Sequence, residues 1–156
     1  MGLGVLAPVP SVLIRDALIT CAAQGRVAFG SDATEFRSSA LAKHRIGTRV
    51  LIYISQNTDP KIPGGHATLD GVLIGFAEPN GLGRHKKPQF RPANAIDEND
   101  PAYDRQWTFF WEISGLSVTS PFRLADLMTD PLKGKPAKLG KFYVPRGPIL
   151  VQSPDL

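Results

Sequence analysis

Three apolar runs stand out from a chain otherwise broken by turn residues. Arg49-Val50-Leu51-Ile52-Tyr53-Ile54-Ser55 is β-branched and aromatic, bounded by Gly47 and by Asn57-Thr58-Asp59-Pro60. That composition predicts a strand with both faces covered. Gly71-Val72-Leu73-Ile74-Gly75-Phe76-Ala77-Glu78 predicts a second strand, ended by Pro79-Asn80-Gly81. A Gly/Pro loop from Asn57 to His66 joins the two without a convincing crossover helix, so they are expected to be antiparallel neighbours. Gln106-Trp107-Thr108-Phe109-Phe110-Trp111-Glu112-Ile113 predicts a third. Its period of two sets Trp107, Phe109, Trp111 and Ile113 on one face and Thr108, Phe110 and Glu112 on the other.

The remaining pattern is finer. Residues 1–10 read as a flexible leader of Gly, Pro and small apolar residues, and Ser11 to Arg15 as a short strand. Asp16 stands where an N-cap belongs, before a short helix from Ala17 to Gln24 that Gly25 ends. Gly30-Ser31-Asp32 reads as a turn. A second helix is expected over Thr34 to His44, with Phe36, Ala40 and Leu41 at helical spacing. Residues 81–105 form an irregular segment, basic at its start and acidic at its end, and a loop of that length is usually functional or disordered. Pro121 to Met128 reads as a helical turn with Leu124 and Leu127 inward. Phe142-Tyr143-Val144 and Ile149-Leu150-Val151 are candidate closing strands. The expectation is one α+β domain over residues 11–156, with a curved, mostly antiparallel sheet and short flanking helices.

Composition narrows the classes. A length of 156 residues favours one domain, and 15 Gly with 14 Pro favours turns and short strands over a helix bundle. The one cysteine, Cys21, excludes an internal disulfide or a zinc ribbon, and its apolar neighbours suggest a buried small side chain. His44, His66 and His85 lie far apart in unlike settings, so no metal site is expected and they read as surface residues. No apolar run reaches the ~18 residues of a membrane span, and a cytoplasmic location is the default expectation. No catalytic motif is evident, and no cofactor is implied: Gly81-Leu82-Gly83-Arg84 lacks the third glycine and the helix of a dinucleotide fingerprint.

Binding is better supported than catalysis. The net charge is +4, and Arg84-His85-Lys86-Lys87-Pro88-Gln89-Phe90-Arg91 mixes cations with an aromatic ring. Cations neutralise phosphates, and rings stack on bases. The two tryptophans, Trp107 and Trp111, fit either a packed core or a cage around a flipped base. Ser31, Tyr53, Ser55 and Gln56 are candidates for the cage's polar edge.

The order of these segments resembles the EVE domains of the PUA-like superfamily, to which ASCH and YTH domains also belong. The run from Leu41 through Gly47 to Tyr53-Ile54-Ser55 is similar to their Lys-Gly-Asp block, strand and Tyr-x-Ser. Gly71 to Pro79, Trp107 to Ser114, and Pro121 to Leu127 are similar to the elements that follow, and Gly25 to Gly30 to an upstream turn. Thr48 stands where the family has Asp, and the family's first-strand tryptophan is absent. The resemblance implies a PUA-like open β-barrel that reads RNA, or DNA, through a modified or unpaired base. It places Phe29, Gly30 and Ser31 on one wall of an aromatic pocket, Tyr53, Ser55 and Gln56 on the pocket strand, and Trp107 and Trp111 on the second wall. Arg84, Lys86, Lys87 and Arg91 would hold phosphates.

Two rival readings remain open. An amidohydrolase of the ASCH type needs a pocket lysine beside a carboxylate, for which Lys43 and Glu112 are the candidates. A protein-interaction module would bury the Phe142/Tyr143 segment against a partner.

Overall fold

The long apolar runs become strands of one mixed sheet. The computed structural model describes residues 3–42, 47–57, 59–61, 65–129, 137–140 and 146–152, with residues 40–42 as backbone only. In chain order the elements are β1 (Leu3–Pro10), α1 (Ser11–Gln24), β2 (Val27–Ser31), α2 (Thr34–Ala42), β3 (Arg49–Ser55), β4 (His66–Ala77), β5 (Phe109–Arg123) and β6 (Ile149–Gln152). The strands lie side by side in the order β2-β5-β4-β3-β1-β6. β1 and β3 run parallel, and every other neighbouring pair is antiparallel. The result is an α+β fold whose six strands curl into a half-barrel. The expected antiparallel pairing of the first two long runs is present as β3 and β4.

Irregular pairing accompanies the curl. β5 is 15 residues long, and its register with β4 shifts between Ala67 and Leu69, Asp70 and Val72, and Leu73 and Gly75. Each such shift bends a strand and increases its twist. The prolines sit where the sheet is unpaired on one side. β6 pairs with β1 only over Leu3 to Leu6, so Pro8 and Pro10 lie beyond it with β3 alone beside them. A missing N–H on that open side removes no ladder bond.

Residues 3–10 depart from expectation. Leu3–Pro10 is not a leader but a buried strand between β3 and β6. Both of its partners are distant in sequence, so a short Gly/Pro-punctuated run gives no local sign of them. Ser11 to Arg15 is helical rather than extended: Pro10 occupies the N-cap, and Asp16 lies inside α1. The predicted end holds, with Gly25 in the left-handed region and its N–H donating to the Cys21 carbonyl at 2.9 Å. β5 runs through Pro121 to Arg123, leaving only Leu124–Asp126 as a 3-10 turn, although Leu124 and Leu127 are buried as expected.

Alternation divides the core between the two faces of the sheet. Val5, Ala7 and Val9 join Val50, Ile52, Ile54, Phe109, Trp111 and Ile113 inside the curl, closed by Ala17 and Cys21 of α1 and Phe36 of α2. Leu6 and Leu51 point the other way, against Ala67, Leu124, Leu127 and Val151. Burying a large apolar side chain contributes about 1.5–3 kcal/mol relative to leaving it in water.

Phe110 belongs to neither cluster, yet it is fully buried. Its cover is the segment 79–108, which folds over the outer face of β2 and β5 through 3-10 turns at Pro88–Phe90 and Ala93–Ile96. Arg91 holds this cap. Only 2% exposed, its guanidinium donates to both Asp104 oxygens and to the Ala28 carbonyl on the free edge of β2. The Thr20 hydroxyl of α1 donates to the Arg91 carbonyl at 3.1 Å, and the Asp16 carboxylate accepts the Asn94 N–H at 3.0 Å. Removing one partner of a buried ion pair leaves the other charge uncompensated, at a cost of about 3–5 kcal/mol. Arg91→Ala is therefore expected to lower unfolding stability by about that amount in a urea titration. A loss within the ~0.5 kcal/mol of an ordinary surface change contradicts this role.

Candidate functional site at the open seam

Among the described residues the half-barrel is not closed, and its two edge strands flank a cleft. Gly30 and Ser31 of β2 line one side, and Ile149 and Leu150 of β6 the other. The cleft is open to solvent and measures ≈ 1350 Å³. Pro8 and Pro10 of β1, Ser55 at the end of β3, Trp111 of β5 and Phe36 of α2 line it further. Arg105 and Arg146 supply positive charge, and Asp32 and Glu35 negative charge.

Trp107 is placed by a glycine. Gly30 pairs with Phe110 across the β2–β5 ladder, so a Cβ on Gly30 would share the Phe110 face. There it would overlap the Trp107 indole. The indole therefore lies on the Gly30 backbone, at the outer side of the sheet edge. Its Nε1–H donates to Asp104 at 3.2 Å, and its backbone N–H donates to the Gly83 carbonyl at 2.8 Å. The Arg105 guanidinium lies 4.2 Å from the ring centroid and 3.1 Å from the Asp32 carboxylate. Asp32 also accepts the Thr108 N–H at 3.0 Å and its hydroxyl at 2.8 Å, tying residues 105–108 to the end of β2.

The expected pocket is only partly assembled. Gly30, Ser31, Ser55, Trp107 and Trp111 all line the cleft. Trp107 and Trp111 do not share a face, because β5 begins at Phe109 and Trp107 belongs to the cap. Trp111 is 2% exposed and packs on Phe29 with ring centroids 4.8 Å apart, so Phe29 is core beneath the wall. Tyr53 lies on the other face: its neighbours Ile52 and Ile54 point into the main core, and Tyr53 packs against the Leu6/Leu51 cluster. Gln56 follows β3 at φ 56°, exposed, and its carbonyl accepts the Ser11 hydroxyl at 2.9 Å.

The cations predicted to hold phosphate divide as well. Lys86 and Lys87 are exposed. Arg84 is half-buried, with its guanidinium 4.9 Å from the Tyr103 ring centroid. Arg91 is not presented to a phosphate backbone, because it is buried with its charge paired to Asp104 inside the cap. Arg105 and Asp32 belong to no site motif in the sequence pattern, where Asp32 reads only as part of a turn. The only sign was an arginine two residues before a tryptophan, which gains meaning once Asp32 is known to lie beside them.

His85 is buried rather than on the surface. Lys87 N–H donates to its Nδ1 at 2.9 Å, which leaves Nε2–H to donate to Glu112 at 3.0 Å. Arg26 lies 3.6 Å from the other Glu112 oxygen. Glu112 is thus a cap anchor, and it does not line the cleft. Lys43 and the Phe142/Tyr143 segment lie outside the described residues. Among the described residues no helix is long and apolar enough to cross a membrane, and no group of three or more His, Cys, Asp or Glu is placed to hold a metal ion.

Compared with known families, the chain matches no family model, and no curated protein is significantly similar to it.

The hydrogen bond from His85 holds the Glu112 carboxyl below its ordinary range, helped by the Arg26 charge and opposed by burial. A carboxyl depressed in the folded state adds stability above its unfolded pKa and loses it as pH falls through the folded value. Unfolding titrations from about pH 7 to about pH 3 are expected to show a flatter acid slope for Glu112→Gln than for the wild type. Parallel slopes contradict this assignment.

Proposed function

We propose that the chain is a nucleic-acid-binding module that takes one unpaired or modified base at the open seam, on a fold of the PUA-like, EVE type. The observation that carries this reading is the Trp107 platform. An indole is fixed on a glycine backbone at the rim of a wide cleft, with a guanidinium over its ring. With the Gly30 backbone under the indole and Arg105 over it, the plane offered to a base is the guanidinium, backed by the indole, and such stacking contributes about 1–3 kcal/mol per base. The Ser31 and Ser55 hydroxyls lie in the same cleft and offer hydrogen bonds to a base edge.

The phosphate backbone falls to cations around the rim. Arg105 and Arg146 line the cleft, and Lys86 and Lys87 are exposed on the adjoining cap. Each phosphate neutralised on a single strand adds about 0.7 to the salt slope of binding. The amidohydrolase reading has less support, since the described lining residues include Asp32 and Glu35 but no lysine.

Anisotropy titrations of labelled single-stranded RNA and DNA, methylated and unmodified, test the proposal. Wild-type binding is expected to weaken as salt rises. Trp107→Ala is expected to lose about 1–3 kcal/mol of binding free energy. Arg105→Gln is expected to bind more weakly and to reduce the salt slope by about 0.7. Negligible, salt-independent binding of every oligonucleotide overturns the proposal.

A further inference from the structure

The cap forms a second, smaller cavity, partly open to solvent, which does not depend on the reading of the seam. It measures ≈ 210 Å³ and is bounded by Arg84, His85, Arg91, Tyr103 and Asp104, with Ile96 among its apolar walls.

The ionisable groups around it are mostly satisfied. Arg91 and Asp104 neutralise each other, and the third Arg91 donor is held by the Ala28 carbonyl. His85 is held through both ring nitrogens, by Lys87 N–H and by Glu112. Arg84 is the exception. Its Nε–H is buried without a hydrogen-bond partner, and no carboxylate among the described residues pairs with its guanidinium. The Tyr103 ring lies against that guanidinium at 4.9 Å and limits where it can turn. That Nε–H is sealed from a cavity occupant, but neither terminal nitrogen of Arg84 has a protein partner among the described residues, and these are the donors left for a ligand.

Charge adds to the case. With Arg91 and Asp104 cancelled, Arg84 leaves the cavity net positive, and the exposed Lys86 and Lys87 follow it directly in the chain. We infer that this cavity is a binding site for a small oxyanion, a phosphate or carboxylate group whose oxygens accept from the Arg84 guanidinium. The Arg fork suits a planar carboxylate or two phosphate oxygens, and the apolar walls leave room for a small body attached to the anion.

The seam tryptophan supplies a readout, because Asp104 borders the cavity and also accepts the Trp107 Nε1–H. The full chain is titrated with inorganic phosphate and, separately, with benzoate, at an ionic strength held constant with chloride. Calorimetry and tryptophan emission follow binding. Saturable binding of at least one anion is expected, and the stronger of the two names the group. Arg84→Gln is expected to weaken it by at least about tenfold, the effect of losing a charge-assisted hydrogen bond. Arg84→Lys keeps the charge without the fork and is expected to fall between the two. Arg105→Gln, a seam variant, is expected to bind the anion as the wild type does. Absence of saturable binding by the wild type overturns the inference, as does wild-type affinity in both Arg84 variants. Loss of binding in Arg105→Gln instead places the anion at the seam and overturns it too.

Discussion

A guanidinium buried at 2% exposure organises one side of this molecule. Arg91 joins three parts of the chain that are distant in sequence: the free edge of β2 through Ala28, the end of the cap through Asp104, and α1 through the Thr20 hydroxyl. A charge so placed is tolerated when it is paired and hydrogen-bonded, and here each of the three bonds, one from every guanidinium nitrogen, also fixes a position. The Ala28 bond blunts an edge strand that would otherwise present bare carbonyls. The Asp104 bond sets the residue that holds Trp107. The platform at the seam is thus tied, through Asp104, to the ion pair that holds the cap.

The seam itself follows from how the sheet is punctuated. Register shifts along the β4–β5 ladder accompany the curl, and prolines border it where β6 ends. Full closure would remove both edges and fill the interior with side chains. A half-barrel leaves an opening between β2 and β6 whose floor is apolar and whose rim is charged.

Much of the interior was legible in the sequence, and most of the periphery was not. The β3, β4 and β5 runs announce themselves by β-branched and aromatic content, and Gly25 ends its helix where its conformational freedom predicts. β1 was hidden because its partners are distant and its prolines argue locally against a strand. The period of two puts Trp107 on the wrong face because it holds only once β5 begins at Phe109, two residues later. Tyr53 and Trp111 both look like pocket residues in sequence, but a strand covered on both faces gives no sign of which face borders a cleft. The basic loop shows the same limit from the other side. Its cations are alike by type, and burial alone separates Arg91, which holds the fold together, from Lys86 and Lys87, which face solvent.

Both the cap and the seam platform require residues 79–108 to be part of the folded structure rather than a loose surface loop. Amide hydrogen exchange on the intact chain measures this directly. The N–H groups of Ala95, Asp104 and Trp107, which donate to Pro92, Ala95 and Gly83, are expected to be protected nearly as strongly as those of β3 and β5. Exchange of these amides at the rate of an open loop, while the strands stay protected, would contradict it.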